Sequence, residues 1–197
     1  MTTNTSVYYV FATLRSASRP VLIYFLSALL KAQLLDDFAY MSCFIRKASA
    51  QDSVGLIEMV KELLTHLGND VENFSEARFL EDAFGDAPQF SLLIAVDDDD
   101  EYQGYALFHD SYEPSHAAKG VYLADLFVCA QARGKGIGKL LLQAVARDAN
   151  SRGREFVWLV SPQEDARPFY DNIMDIRDEA VAYALTGEHF FRLVDGL

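Results

Sequence analysis

The pattern of apolar and polar positions from Met41 onward predicts five short strands in the first part of the chain. In chain order they are CFIRKA at 43–48, FSLLIAV at 90–96, YQGYALFHDSY at 102–112, GVYLADLFVCA at 120–130 and FVWLVSP at 156–162. The three middle runs follow one another, which predicts an antiparallel meander. The acidic run 97–101 is interpreted as a solvated hairpin tip, because it lacks the glycine and the distal glutamate of a calcium loop.

Helical spacing separates these strands. One helix is predicted to open at residues 51–53, and its apolar positions are Leu56, Ile57, Val60, Leu63 and Leu64. SEARFLEDAF predicts a second helix that stops at Gly85. A third begins after a glycine-rich stretch and closes at SRG, with one apolar face formed by Ile137, Leu140, Leu141, Ala144 and Val145. EDARPFYDNIM predicts a short helix, and AVAYALTG and HFFRLV a final hairpin.

The element order is therefore β-α-α-β-β-β-α-β-α-β-β, which predicts one α/β (α+β) domain over residues 41–197. The chain has 197 residues, and 51% of them are hydrophobic. This is enough for one sizeable core.

Residues 1–40 differ from the rest. PVLIYFLSALL at 20–30 is apolar, but Lys31 ends it well before the roughly 20 residues of a membrane span. Arg15 and Arg19 give it a weak likeness to a signal peptide, without a small-residue cleavage site. We expect an N-terminal extension, either an amphipathic helix or the product of an upstream start codon, rather than an export signal.

Charge and cysteine content narrow the function. The formal net charge of −12 argues against a nucleic-acid partner and is compatible with a cationic substrate such as an amine. The two cysteines and four histidines show no metal-ligand spacing, so we expect no metal site, and the cysteines indicate a cytoplasmic protein.

The stretch CAQARGKGIGKLLLQAV at 129–145 carries the strongest chemical signal. It is one residue too short for a P-loop, and its glycines do not match the dinucleotide fingerprint. What remains is Arg-x-x-Gly-x-Gly between a strand and a helix N-terminus, where free N–H groups and the helix dipole favour an anion. Arg133, Lys135 and Lys139 add positive charge to an otherwise acidic chain.

This loop resembles the coenzyme A pyrophosphate site of the GCN5-related N-acetyltransferases, the GNAT family. Within that family the chain is most similar to the spermidine/spermine (diamine) acetyltransferases. The segments that carry the likeness are FIRKA, FLEDAFGDAPQFSLLIAV, YEPSHAAKGVYLADLFV, ARGKGIGKLL and ARPFY. The resemblance implies a mixed, mostly antiparallel sheet with one parallel, splayed strand pair.

The resemblance also implies where acetyl-CoA binds. The pyrophosphate is expected on the loop, and the pantetheine arm along the edge of the strand at 126–128, where a backbone N–H can polarise the thioester carbonyl. The implied binding residues are Leu126, Phe127, Val128, Arg133, Gly134, Lys135, Gly136, Ile137, Gly138, Lys139 and Gln163. Gln163 stands where the family usually has Asn.

For catalysis, the resemblance makes Tyr170 the general acid for the leaving thiolate. Asp125 is expected to position and deprotonate the amine. Polyamine enzymes carry a Glu-Asp pair here, whereas this chain has Ala124 before Asp125, and His66 replaces an expected acidic contact. The expected substrate-side residues are Asp125, His66, Phe156, Val157 and Trp158.

We therefore expect direct, acetyl-CoA-dependent transfer to a small primary amine such as a diamine, polyamine or lysine-like amino acid. The likeness also implies a homodimer. Two alternatives stay open at this point. One is acetylation of a protein or peptide amine, and the other is a non-catalytic acyl-CoA-binding regulatory domain, suggested by the missing glutamate.

Overall fold

The computed structural model describes residues 43–161, 163–178 and 186–194. The chain forms two compact units, of which the first ends at Leu159 and the second begins at Val160. In the first unit the strands are β1 (Cys43–Lys47), β2 (Ser91–Asp97), β3 (Tyr102–Glu113), β4 (Ala118–Val128) and β5 (Phe156–Trp158). Its α-helices are α1 (Ser53–His66), α2 (Glu76–Phe84) and α3 (Ile137–Ser151). The proposed extension at 1–40 lies outside the described residues.

The five strands form one mixed sheet in the order β1-β2-β3-β4-β5. The first three pairings are antiparallel, and β4 pairs with β5 in parallel. The predicted meander and the predicted fold class are thus confirmed. The acidic run 97–101 forms the tight β2–β3 connection, as expected, with the Asp97 carboxylate accepting hydrogen bonds from the backbone N–H groups of Asp99 and Glu101.

Helix α3 packs into the core through a face that only partly matches the predicted one. Its buried positions are Ile137, Leu141, Leu142, Val145 and Ala149, whereas Leu140 and Ala144 are only half-buried. The buried stripe is therefore rotated from the predicted one toward Leu142 and Ala149. Strands β2, β3 and β4 supply the rest of this core, including the fully buried Ile94, Phe108 and Val121.

Local sequence sets the helix ends. The Ser75 hydroxyl accepts a hydrogen bond from the Arg78 N–H at the start of α2, and Gly85 ends that helix as predicted. Helix α3 ends before Gly153, whose φ of +69° continues the chain in the left-handed region. Within the described residues, no helix combines the length and apolar character that a membrane crossing needs.

Strand β5 corrects one prediction. FVWLVSP was expected to be a buried strand, but β5 covers only Phe156–Trp158, and the Trp158 side chain is 47% exposed. Among the described strands β5 is the last of the sheet and pairs only with β4. An apolar run at such an edge need not be buried on both faces.

The second unit corrects another prediction. It contains α4 (Arg167–Asp171), as expected, and α5 (Gly187–Val194), where HFFRLV was predicted to be a strand. The apolar residues of this segment come in pairs three positions apart, 190–191 and 193–194, which is a helical spacing rather than a strand alternation. Most of the other predicted strand, 180–185, lies outside the described residues.

Candidate active site

The second half of β4 has an unpaired strand edge within the described residues. The parallel pairing joins Gly120–Tyr122 of β4 to Phe156–Trp158 of β5 and stops there. Beyond Tyr122, residues 123–128 pair in the described part of the chain with β3 alone. Half of the backbone groups of this segment therefore point toward the β5 side without a strand partner. This is the splay expected for Leu126, Phe127 and Val128.

The glycine-rich loop follows this edge directly. Gly134 and Gly136 have φ values of +75° and +80°, which side chains rarely adopt, and Gly136 is the N-cap of α3. A Cβ at Gly134 would meet no atom within 4 Å, so the loop backbone is open at that point. The N–H groups of Ile137, Gly138 and Lys139 open the helix without a side-chain cap, which leaves them available to an anion.

Three cations surround the loop. Arg133, Lys135 and Lys139 are exposed, and none of them forms a salt bridge within the described residues. The Arg133 Nε donates a hydrogen bond of 3.0 Å to the Val128 carbonyl oxygen, which ties the loop to the end of β4. The loop thus combines open N–H groups, a helix N-terminus and uncompensated positive charge.

Asp125 lies at an irregularity of β4. Leu107 of β3 pairs with Asp125, but the next residue, Phe108, pairs with Leu123, so Ala124 is one extra residue in β4. Such a bulge re-aims neighbouring side chains. Ala124 is exposed, and Asp125 is partly buried within the unpaired edge. Burial raises the pKa of the Asp125 carboxyl above its usual value.

Tyr105 of β3 holds this carboxylate. Its side chain is fully buried, and its hydroxyl donates a hydrogen bond of 3.0 Å to Asp125 Oδ2. Burial and the neighbouring carboxylate raise the pKa of Tyr105 well above 10, so the hydroxyl keeps its proton. The Tyr105 ring also packs against Phe127, with 5.9 Å between ring centroids.

The other expected substrate-side residues are less clearly grouped. Phe156 and Trp158 lie on the face of the sheet that carries Asp125, whereas strand alternation puts Val157 on the opposite face. Phe156 packs over Gly120, where a Cβ would lie 2.3 Å from its ring. The Trp158 Nε1 donates a hydrogen bond to the Ser111 hydroxyl, and its ring contacts Tyr122. His66 is the exposed last residue of α1.

The remaining predicted residues belong to the second unit, described by itself. Tyr170 lies in α4, with its ring packed edge-on against Phe169 at 5.1 Å between centroids. Burial raises the pKa of the Tyr170 phenol above its usual value of about 10, so the phenol is protonated at neutral pH. Gln163 is half-buried in the coil that precedes α4.

Sequence reasoning missed three features of the site: Tyr105, the bulge at Ala124 and the bond from Arg133 to Val128. The first had a signal, since a tyrosine within the apolar run GYALF needs a partner for its hydroxyl when buried. The bulge and the Arg133 bond depend on the strand register and the loop path, which no sequence motif encodes.

Comparisons with known proteins identify the family of the chain. The model of the acetyltransferase (GNAT) family matches residues 57–174. Thialysine N-epsilon-acetyltransferase from Mus musculus is 33% identical over 118 residues, covering 55% of this chain and 68% of the mouse protein. Spermidine/spermine N(1)-acetyltransferase-like protein 1 from Homo sapiens is 32% identical over 112 residues, which are 53% of this chain and 16% of the human protein.

A solved structure agrees on the fold. The integron cassette protein from the mobile metagenome of V. cholerae superposes with a TM-score of 0.64 at 23% identity, covering 78% of this chain and 98% of that protein. The resemblance inferred from the loop and strand motifs is thereby confirmed, including its likeness to polyamine acetyltransferases. The chain belongs to the acetyltransferase (GNAT) family and is an N-acetyltransferase.

Proposed function

We propose that the chain transfers the acetyl group of acetyl-CoA directly to the primary amine of a small molecule, of the diamine, polyamine or lysine-like class. The observation that carries this proposal is the unpaired edge of β4 at 123–128, which runs into the glycine-rich loop. One backbone path thus offers an extended strand edge and then an anion-binding helix N-terminus.

The residues present fit acetyl-CoA. The open backbone at Gly134 and the uncapped N–H groups of α3 suit a pyrophosphate, and the unpaired cations of the loop add attraction. The edge of β4 suits an amide-bearing arm, which can pair with it like an added strand. Acetyl-CoA would supply the activated thioester, and a free N–H of β4 would donate a hydrogen bond to its carbonyl oxygen.

Asp125 serves the amine in this proposal. An alkylammonium has a pKa of about 10.4 and must lose a proton before it attacks. A carboxylate whose pKa is raised by burial is a better base at neutral pH than an exposed one. Asp125 therefore holds the ammonium and assists its deprotonation, directly or through water.

Tyr170 completes the proposed chemistry as general acid. Its half-buried phenol is protonated at neutral pH and can deliver that proton to the departing thiolate. The thiolate needs this help only in part, because a thiol has a pKa of about 8.5.

The lack of a second carboxylate beside Asp125 bears on substrate size. Ala124 contributes only a methyl group at the exposed bulge, so one negative charge faces the amine there. We therefore favour a short amine or an amino-acid side chain over a long polycation. The similarity to thialysine N-epsilon-acetyltransferase supports the same choice.

The proposal also covers the cellular compartment, the oligomeric state and the domain bounds. We place the enzyme in the cytoplasm, because Cys43 and Cys129 are both unpaired thiols. We also propose that the protein is a homodimer, and that residues 1–40 are an extension to an acetyltransferase domain at 41–197.

A truncated protein that starts at Met41 should keep acetyl-CoA binding and turnover. Loss of either would assign residues 1–40 to the domain.

The decisive experiment measures thiol release from acetyl-CoA over a panel of amines and peptides. We expect turnover with lysine-like amino acids and short diamines. Turnover with peptides alone would move the assignment to protein acetylation. Acetyl-CoA binding without turnover on any acceptor would favour a regulatory domain.

A charge variant tests the donor site. Lys135→Ala should raise the acetyl-CoA Kd about fivefold, the size of one partly screened ionic contact, and the effect should shrink in high salt. Lys119→Ala makes the same charge change at the far end of β4 and is the matched control. Equal Kd values for both variants and the wild type would remove the loop from the donor site.

A phenylalanine at position 170 tests the general acid. Tyr170→Phe keeps the ring, so unfolding should change little while kcat falls by about 10²-fold. The residual rate should rise with pH, because the unprotonated thiolate becomes a stable product. Wild-type turnover in Tyr170→Phe would exclude the assigned role.

A further inference from the structure

Tyr105 and Asp125 form a pair that connects the interior of the sheet to the site. Tyr105 is fully buried on β3, and its hydroxyl reaches diagonally across the strands to Asp125 Oδ2 at 3.0 Å. The bulge at Ala124 lies beside this contact and sets the direction of the Asp125 side chain. The pair is therefore fixed by the register of two paired strands.

The two carboxylate oxygens of Asp125 differ. Oδ2 accepts the Tyr105 hydrogen bond, whereas Oδ1 accepts none within the described residues. No buried side-chain oxygen or nitrogen of the described residues lacks a partner, so Oδ1 retains contact with solvent. One oxygen is thus held by Tyr105, and the other keeps some contact with solvent.

We propose that Tyr105 is a positioning residue, which fixes Asp125 through Oδ2 and leaves Oδ1 to receive the amine. This inference rests on the proposed role of Asp125 toward the amine and adds the residue that makes the role possible. Tyr105 neither touches the substrate nor transfers a proton in the reaction.

The hydrogen bond also has an electrostatic consequence. Burial disfavours the charged form of Asp125 and raises its pKa, while the Tyr105 hydrogen bond opposes that rise. Among the described residues, Tyr105 is the titratable group that acts on Asp125, and neither α1 nor the other residues of β3 and β4 add a charge. Removing the hydroxyl should therefore raise the pKa of Asp125 further.

The test compares Tyr105→Phe with the wild type across the pH range, measured as kcat/KM for the amine. The ratio of the two values at each pH cancels the titration of the amine itself. A lost hydrogen bond to a charged group corresponds to about one pH unit. We expect the ratio to be about one tenth of its high-pH value at low pH, and to level off below one at higher pH, where both proteins have ionised Asp125 but only the wild type holds it in place.

Tyr102→Phe is the matched control. Tyr102 lies on the same strand, and its hydroxyl donates a hydrogen bond of 3.1 Å to another carboxylate, that of Asp52. Its variant loses the same kind of bond, but its activity ratio should stay flat with pH. A flat ratio for Tyr105→Phe, or the same pH dependence in both variants, would overturn the inference.

Two further measurements separate positioning from folding. In the Asp125→Asn background, Tyr105→Phe should change the rate less than twofold, because the carboxylate it serves is gone. Independent of activity, the ¹³C titration of the Asp125 carboxyl should shift to higher pH in Tyr105→Phe, and an unshifted titration contradicts the inference.

If Tyr105→Phe does not fold, site-specific 3-fluorotyrosine at position 105 replaces it. This residue keeps the ring and is a stronger hydrogen-bond donor, so the acid limb should move to lower pH; an unmoved limb contradicts the inference. A wild type that is inactive on every amine refutes the proposed function and this inference with it, whereas an active wild type with a flat ratio refutes only the inference.

Discussion

Two tyrosines three positions apart on β3 make nearly equal hydrogen bonds with opposite surroundings. Tyr102 donates to Asp52 at 3.1 Å, and Tyr105 donates to Asp125 at 3.0 Å. Asp52 precedes α1, whereas Asp125 lies on β4 at the open strand edge. A carboxylate in each region is thus held by a phenol from the same strand.

The Asp52 cluster, made of Arg46, Ser49, Asp52 and Tyr102, is closed. Asp52 is 3% exposed and accepts two hydrogen bonds from the Arg46 guanidinium, at 2.7 and 2.9 Å, and two from Ser49. The Arg46 hydrogen bonds, followed by those of Ser49 and Tyr102, hold the pKa of Asp52 well below its usual value despite burial.

The Asp125 pair, made of Tyr105 and Asp125, is open. It contains no cation, so burial outweighs the tyrosine hydrogen bond and the pKa of Asp125 rises. The cation, and not the phenol, decides the direction of the shift. A saturated carboxylate joins elements of the fold, whereas a buried carboxylate with one oxygen left over costs stability and remains available for chemistry.

The largest expected effect is on turnover at the open pair. Asp125→Asn should lower kcat/KM for the amine by about 10²-fold at pH 7, with acetyl-CoA binding unchanged. The loss should shrink at high pH, where free amine is abundant. Steady-state kinetics between pH 7 and 10 measure this, and a loss that does not depend on pH would make Asp125 a structural residue.

The next effect is on stability at the closed cluster. Arg46→Ala leaves the Asp52 carboxylate buried without its cation, and we expect a loss of about 2–3 kcal/mol, reduced because the Arg46 side chain is 44% exposed. Denaturant unfolding measures it. Lys61→Ala removes a cation from the exposed pair with Glu76 and should cost under about 1 kcal/mol. Equal losses in the two variants would show that the cluster has no special weight.

The stabilising contribution of Asp52 should also depend on pH. Its folded pKa lies below the unfolded value of about 3.9, so its contribution is present above that value and is lost as pH falls below it. Asp52→Asn should therefore be less stable than the wild type at pH 7 by about 2 kcal/mol, with the gap narrowing below pH 4. Unfolding at pH 3 and pH 7 measures the gap, and a constant gap would contradict the assignment.

The smallest expected effect is on stability at Asp125, where the substitution is expected to stabilise the protein slightly, unlike the substitution at Asp52. Because the folded pKa of Asp125 lies above its unfolded value, ionised Asp125 costs stability, and the cost is complete once pH exceeds the folded pKa. Asp125→Asn should leave the free energy of unfolding at pH 7 unchanged or raise it by up to about 1 kcal/mol. A clear loss in the same unfolding assay would place Asp125 among the stabilising residues.

Much of the fold could be predicted from the sequence, because its signals are local. The strand alternation, the helix stop at Gly85 and the acidic turn at 97–101 act within a few residues of themselves, and each is found in the structure. The wrong predictions concern segments whose structure depends on how deeply they are buried in the fold. FVWLVSP was predicted to be buried, but β5 is short and half-exposed, and HFFRLV forms a helix.

The candidate site divides in the same way. The glycine-rich loop was identified from the sequence, since a backbone with positive φ at Gly134 and Gly136 demands glycine and leaves a direct mark. Asp125 was predicted as a site residue only through a family resemblance, and its role stays a prediction. Asp52 and Asp125 are the same residue type, and the residues next to each in sequence do not predict that their pKa values shift in opposite directions.

The sequence by itself determined the order of the elements as far as the short helix at 167–171, the position of the glycine-rich loop and the family, because these depend on periodicity and on residues with unusual backbone freedom. Only the tertiary structure decided which carboxylate is neutralised and which stays open. That outcome depends on strand register, on the bulge at Ala124 and on Arg46 reaching Asp52 rather than Asp125. A carboxylate's pKa is set by the charges and burial around it, and those are fixed only when distant segments pack together.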